Sequence, residues 1–204
     1  MPVLAYHAIF SAFGQWLPND PRGSGSSFVG AKHLRKFGPA TGLEDRSRSV
    51  AGQPHDVQLR LAAKKALLRP AVLFNGHQAL SVSRGFHDYV RKSGLTVWAC
   101  AIMPDHVHLV VARHRLLIET IVEQLKGAGT NRLLDDGLHP FAGLAARETR
   151  VPQCWGRGEW KVFLNSAAEI LRAIAYVEKN PEERGLPRQR WPFVMPYPQL
   201  YDGH

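Results

Sequence analysis

The chain has 204 residues, 45% of them hydrophobic, enough for one packed domain and too few for two of ordinary size. A net charge of +9 and a pI near 9.9 point to a polyanionic partner, either nucleic acid or an anionic membrane surface. The longest apolar run, LTVWACAIM, is far below the ~20 residues of a bilayer span, which sets a membrane-embedded protein aside.

In chain order, residues 3–13 (VLAYHAIFSAF) are apolar and aromatic-rich and read as a first strand. No basic segment precedes an apolar one here, so no secretory leader is expected and a cytoplasmic protein is. Residues 14–55 are rich in Gly, Pro, Ser and Arg, with little periodicity. A stretch of that length is either a binding loop or partly disordered. Its basic residues include Arg22, Arg35 and Lys36.

Residues 56–68 carry an Asp at the N-cap position and helix formers up to Pro70. A weaker helical segment follows and ends at Gly94. LTVWACAIM and HVHLVVA are strand-like and separated by Pro104–Asp105, the spacing of an antiparallel hairpin. Leu117, Ile121 and Leu125 then fall at helical spacing, with Gly127 and Gly129 weakening the helix beyond them. WKVFLNS supplies another strand. Ser166 caps an alanine-rich helix that is expected to stop at Pro181. The tail has too many prolines for regular structure. The two cysteines, Cys100 and Cys154, form no C-x-x-C pair and fit free, buried thiols in a reducing compartment. The order β, α, α, β, β, α, β, α suggests an α+β fold with one antiparallel sheet and helices packed on it.

The hairpin's second strand holds His106 and His108. Taken alone, such a pair is more often two hydrogen-bonded core residues than a ligand set. In a strand, however, residues two apart share a face, so both imidazoles can converge on one ion or phosphate. A metal site needs a third ligand as well.

The ordered set MPDHVHLVV, a helix, WGRGEWKVFLNS and IAYVEKNPEERGL resembles the single-tyrosine HUH transposases, more narrowly the branch associated with repetitive extragenic palindromes. The resemblance runs from residue 3 to about 194. It implies one domain over 1–194, of ferredoxin-like/HUH endonuclease architecture, with a basic insertion at 14–55 and a tail at 195–204. Carried over residue by residue, the histidine–hydrophobic–histidine element matches His106, Val107 and His108, and the nucleophilic tyrosine matches Tyr176. The third metal ligand matches Asn180, four residues on and so nearly on the same helix face.

What the resemblance implies chemically is a divalent ion, Mg2+ or Mn2+, held by His106, His108 and Asn180. Tyr176 would attack a phosphodiester to leave a 5′-phosphotyrosine and a free 3′-hydroxyl. The implied partner is single-stranded or hairpin DNA in the nucleoid. Relatives include monomers and dimers that exchange the tyrosine helix, so a homodimer stays open. Lys126, Thr130 and Arg132 are the first candidates for phosphate contacts, with Arg22, Arg35 and Lys36 behind them. Trp155, Trp160 and Trp191 can stack on bases, although core packing is the commoner use of tryptophan. Two other readings stand beside this one: a hairpin-binding protein that no longer cuts, and a metal-dependent phosphodiesterase in which Tyr176 is structural.

Overall fold

The computed structural model describes residues 2–20, 29, 31–38, 54–144 and 151–198. Four strands, β1 (Ala5–Ser11), β2 (Val97–Ile102), β3 (His106–Ala112) and β4 (Trp160–Leu164), form one antiparallel sheet in the order β2–β3–β1–β4. The described residues also form α-helices α1 (Val57–Lys65), α2 (Gly76–Ser93), α3 (Ile118–Asp135) and α4 (Ala167–Glu183). Leaving out α1 and α4, the chain runs β–α–β–β–α–β with its first strand inside the sheet, which is the ferredoxin-like arrangement.

The pleat sorts the sheet into two faces. Val107, Leu109 and Val111 of β3, with Ala8 and Phe10 of β1, join Val82 and Phe86 of α2 and Ile121 and Leu125 of α3 in the larger core. Val110 and Ala5 face the other way, into a smaller core with Ile170, Ala173, Ile174 and Val177 of α4. His106 and His108 are in phase with Val110, so they project toward α4. They stand on β3, which is paired on both sides.

Local chemistry explains the helix ends. Asn75 and Gln78 form a reciprocal capping box at the start of α2, and Gly94 in the left-handed region (φ 72°) ends it. Asp56 accepts from the Leu59 amide at 2.9 Å and starts α1. Helix α3 continues through Gly127 and Gly129, against the expectation that these glycines weaken it. The gain is close packing. A Cβ on Gly85 of α2 would collide with the Ala128 carbonyl oxygen, and one on Gly129 would press on Phe86 and Trp155.

Pro181 does not end α4, which runs on to Glu183. The stop lies four residues later. Gly185 adopts φ 70°, its amide donates to the Glu182 carbonyl (2.9 Å), and the Leu186 amide donates to the Pro181 carbonyl (2.9 Å). This is a Schellman motif, and Leu186 packs on the smaller core as such motifs favour. Asn180 therefore sits within a formed turn rather than at a fraying end.

The described residues of the 14–55 segment pack beside α1. A 3-10 helix, Lys32–Phe37, puts Leu34 and Phe37 with Leu17 and Ala63 in a satellite cluster against α1. The tail is irregular but packed. Gln189 covers the outer margin of β2, accepting from the Ile102 amide (2.7 Å) and donating to its carbonyl (2.8 Å). Tyr197, beyond the expected boundary at 194, is buried against Trp98.

Candidate metal and tyrosine site

His106 and His108 are 5% and 3% exposed, and their Nε2 atoms are 2.9 Å apart. The outer nitrogens are both engaged. His106 Nδ1 lies 2.6 Å from Asp105 Oδ1, and His108 Nδ1 lies 3.1 Å from Nε2 of a third histidine, His7 on β1. A carboxylate only accepts, so Asp105 fixes His106 as the Nδ1–H tautomer and leaves its Nε2 lone pair free. Burial, and then the neighbouring His106, His7 and Arg184, push the pKa of His108 well below the usual imidazole range, and burial lowers that of His7 to about 4. Both rings are therefore neutral at physiological pH, the form that ligates metals.

Helix α4 brings up the phenol. The ring of Tyr176 stands edge-on to His108, with centroids 5.4 Å apart, and edge-on to His7 at 5.9 Å. Tyr176 is 45% exposed, so it borders the histidines without being sealed among them. Histidines and tyrosine meet within one chain.

Asn180 comes one turn later. Ile170, Ala173, Ile174, Val177, Asn180 and Pro181 are the buried positions of α4, so the amide continues the apolar stripe turned to the sheet. It is 7% exposed, and its Oδ1 is buried with no hydrogen-bond partner. Such an orphan costs about 1–3 kcal/mol unless something binds it.

These residues fit a divalent cation. Two nitrogen ligands set at right angles ~2.1 Å from one ion lie ~3 Å apart, close to the separation of the two Nε2 atoms. Among the described residues no three His, Cys, Asp or Glu side chains cluster as a metal site. Asn180 Oδ1, buried and without a partner one turn beyond Tyr176, is an oxygen donor of another kind.

Several residues at the site carry no signal in the sequence. His7 looks like one more residue in a packed strand, and only the β1–β3 pairing brings it to His108. Trp16, in the left-handed region (φ 50°), puts its ring 6.0 Å from that of His106. Arg184, at the end of α4, lies 4.0 Å from Asp105.

The expected phosphate contacts divide differently. Lys126 is buried, its ammonium donating to the Gly158 carbonyl (2.8 Å) and to Glu123 (2.9 Å). Thr130 donates to the Lys126 carbonyl (2.8 Å) and accepts from Trp155 Nε1 (3.2 Å). Lys126 is thus an interior strut rather than a surface contact, since α3 turns it toward the loop before β4, whereas Thr130 is half-buried. Arg132 is ion-paired with Asp136 (3.1 Å) and lies 3.9 Å from Asp88. Arg35 and Lys36 are exposed on the 3-10 helix, while Arg22 lies outside the described residues. Trp155 is buried among Phe10, Phe74 and Phe86 and belongs to the core.

No helix among the described residues is long and apolar enough to cross a membrane. The family model described as "Transposase IS200 like" matches residues 68–180, more than half of the chain. No curated protein matches. Among solved structures, a REP-associated tyrosine transposase bound to a REP hairpin is 10% identical with a TM-score of 0.47, over 95% of this chain and 76% of that one. A candidate transposase from Deinococcus radiodurans R1 is 15% identical with a TM-score of 0.42, over 92% of this chain and 95% of that one.

Proposed function

The chain belongs to the IS200-like transposase family, and on that premise we propose that it cuts and rejoins single-stranded or hairpin DNA, with Tyr176 as nucleophile and His106, His108 and Asn180 as ligands of a divalent ion. The reading rests on one observation: the Tyr176 ring lies edge-on to His108, 5.4 Å between centroids, in the same chain.

In the reaction, Tyr176 Oη forms a bond to the scissile phosphorus as the bond from phosphorus to the 3′ oxygen breaks. The products are a 5′-phosphotyrosine and a strand ending in a 3′-hydroxyl, once that oxygen has taken a proton. The tyrosyl ester keeps the phosphodiester's energy, so a different 3′-hydroxyl can reverse the step without ATP. Glu178 is engaged by Arg188 at 3.0 Å, and Tyr176 is 45% exposed, so its phenol proton can pass to solvent.

A bound divalent ion supplies Lewis-acid polarisation of a non-bridging phosphate oxygen and offsets the charge that builds up there. His106, His108 and Asn180 are neutral ligands and leave that charge undiminished. Nitrogen ligands favour Mn2+ over Mg2+. Asp105 holds His106 in the ligating tautomer. Arg184, half-exposed beside Asp105, is the guanidinium best situated to meet a phosphate.

The recessed imidazoles favour DNA released from a regular duplex, because a phosphate inside a stacked helix cannot approach them. The net charge of +9 supports a nucleic-acid partner generally.

The test uses labelled hairpins taken from inverted repeats around the gene, with Mn2+. We expect a covalent protein–DNA adduct that disappears in Tyr176→Phe. Retention of the hairpin by wild-type protein without cutting would instead indicate a binding module. Metal-dependent hydrolysis that survives Tyr176→Phe would indicate a phosphodiesterase.

A further inference from the structure

His7 and His108 stand on adjacent strands. His7 pairs with Val110 and Ile9 with His108, so the two histidines are diagonal neighbours on the face turned to α4. Their rings stack with centroids 5.3 Å apart, and His7 Nε2 lies 3.1 Å from His108 Nδ1. His7 is buried, and no step of the reaction above uses it.

A neutral imidazole has one N–H and one lone pair, so this bond admits two arrangements. In the first, His7 Nε2–H donates to His108 Nδ1, and the His108 proton sits on Nε2, facing His106. In the second, His108 Nδ1–H donates to His7 Nε2, and the His108 Nε2 lone pair is free. Only the second can ligate a cation.

We propose that His7 is a positioning residue: its Nε2 accepts the Nδ1–H of His108 and so holds the His108 Nε2 lone pair toward the ion. Asp105 does the same for His106 from the other side. The two ligands thus have one anionic and one neutral acceptor behind them. This inference rests on the metal-site reading above.

The test is Mn2+ affinity of the full chain without DNA, from the electron paramagnetic resonance signal of free Mn2+. His7→Phe keeps a ring against His108 and Tyr176 but removes the acceptor, and we expect affinity to fall about 10–100-fold. His7→Gln sets its Oε1 as many bonds from Cβ as the lost Nε2, and we expect it to recover most of the loss. Wild-type affinity in His7→Phe, or no recovery in His7→Gln, would overturn the inference.

His108→Ala and Asn180→Ala separate the two failures. If they bind Mn2+ as the wild type does, the metal site itself is wrongly assigned, and the role of His7 falls with it. Should His7→Phe not fold, long-range 1H–15N correlation spectra of the wild-type histidines in metal-free buffer decide the matter. His108 protonated on Nδ1 supports the proposal, and His108 protonated on Nε2 refutes it.

Discussion

The ammonium of Lys126 donates to the carbonyl of Gly158 at 2.8 Å and ties α3 to the loop that leads into β4. A phosphate contact and an interior strut fail in different ways when removed. Lys126→Met keeps the apolar stem and deletes the bond, which should cost about 1.5–3 kcal/mol of stability. At ~2–4 °C per kcal/mol for a chain of this size, thermal melting should show it plainly. The salt dependence of hairpin binding should keep its slope, whereas loss of a phosphate contact would reduce that slope by roughly 0.7–0.9.

Asn180 gives a prediction of opposite sign in two buffers. Its Oδ1 is buried without a partner, so in metal-free buffer Asn180→Leu should melt no lower than the wild type and as much as ~1–3 kcal/mol higher in stability. Adding Mn2+ should stabilise the wild type, by about 2.7 kcal/mol at a hundredfold excess over Kd, and leave Asn180→Leu nearly unmoved. Cleavage should fall sharply in Asn180→Leu and His106→Ala while hairpin binding persists. Equal loss of binding by the folded variants would contradict that division of labour.

Cys100 and Cys154 are both buried, and burial pushes their thiols up, that of Cys154 to about 11. The thiolate is the reactive form. Iodoacetamide at pH 8 should therefore leave both untouched in the native protein and modify both in denaturant. Rapid labelling of either one before unfolding, followed by mass spectrometry, would show that its surroundings open.

His139 accepts from the Phe141 amide through Nδ1 (3.2 Å), and its Nε2 is buried without a partner. Burial lowers its pKa below the ordinary 6.5. The unfolded chain thus takes up the proton first as the pH falls, and stability declines from about 6.5 downward. His7 and His108 act in the same direction. His139→Asn keeps an acceptor for Phe141 but does not titrate, so the difference in melting temperature between pH 7.5 and 5 should be smaller than in the wild type.

Much of this molecule is legible in its residues where the information is local. Strand β3 begins at His106 as its pattern implies, and the alternation that puts Val107 and Leu109 in one core aims the histidines at the other face. Ser166 starts α4 through the Glu169 amide, as expected of a cap. What could not be read depends on contacts made at long range. Pro181 looks like a stop because it lacks an N–H, yet the termination is set by Gly185 and Leu186, which dock on the smaller core. Lys126 looks like a surface cation until the returning loop covers it. His7 is silent in AYHAIF, since its partner is 101 residues away.

The two-sided pleat of β3 has a consequence for how the protein can fail. Val107, Leu109 and Val111 toward α2 and α3 hold the molecule up, while the α4 face alternates with them and carries His106 and His108 followed by Val110. Injury to the first set should cost stability, while injury to the histidines should leave the fold and remove the proposed chemistry. A frame error of one residue in this strand would trade the two sets and forfeit both at once.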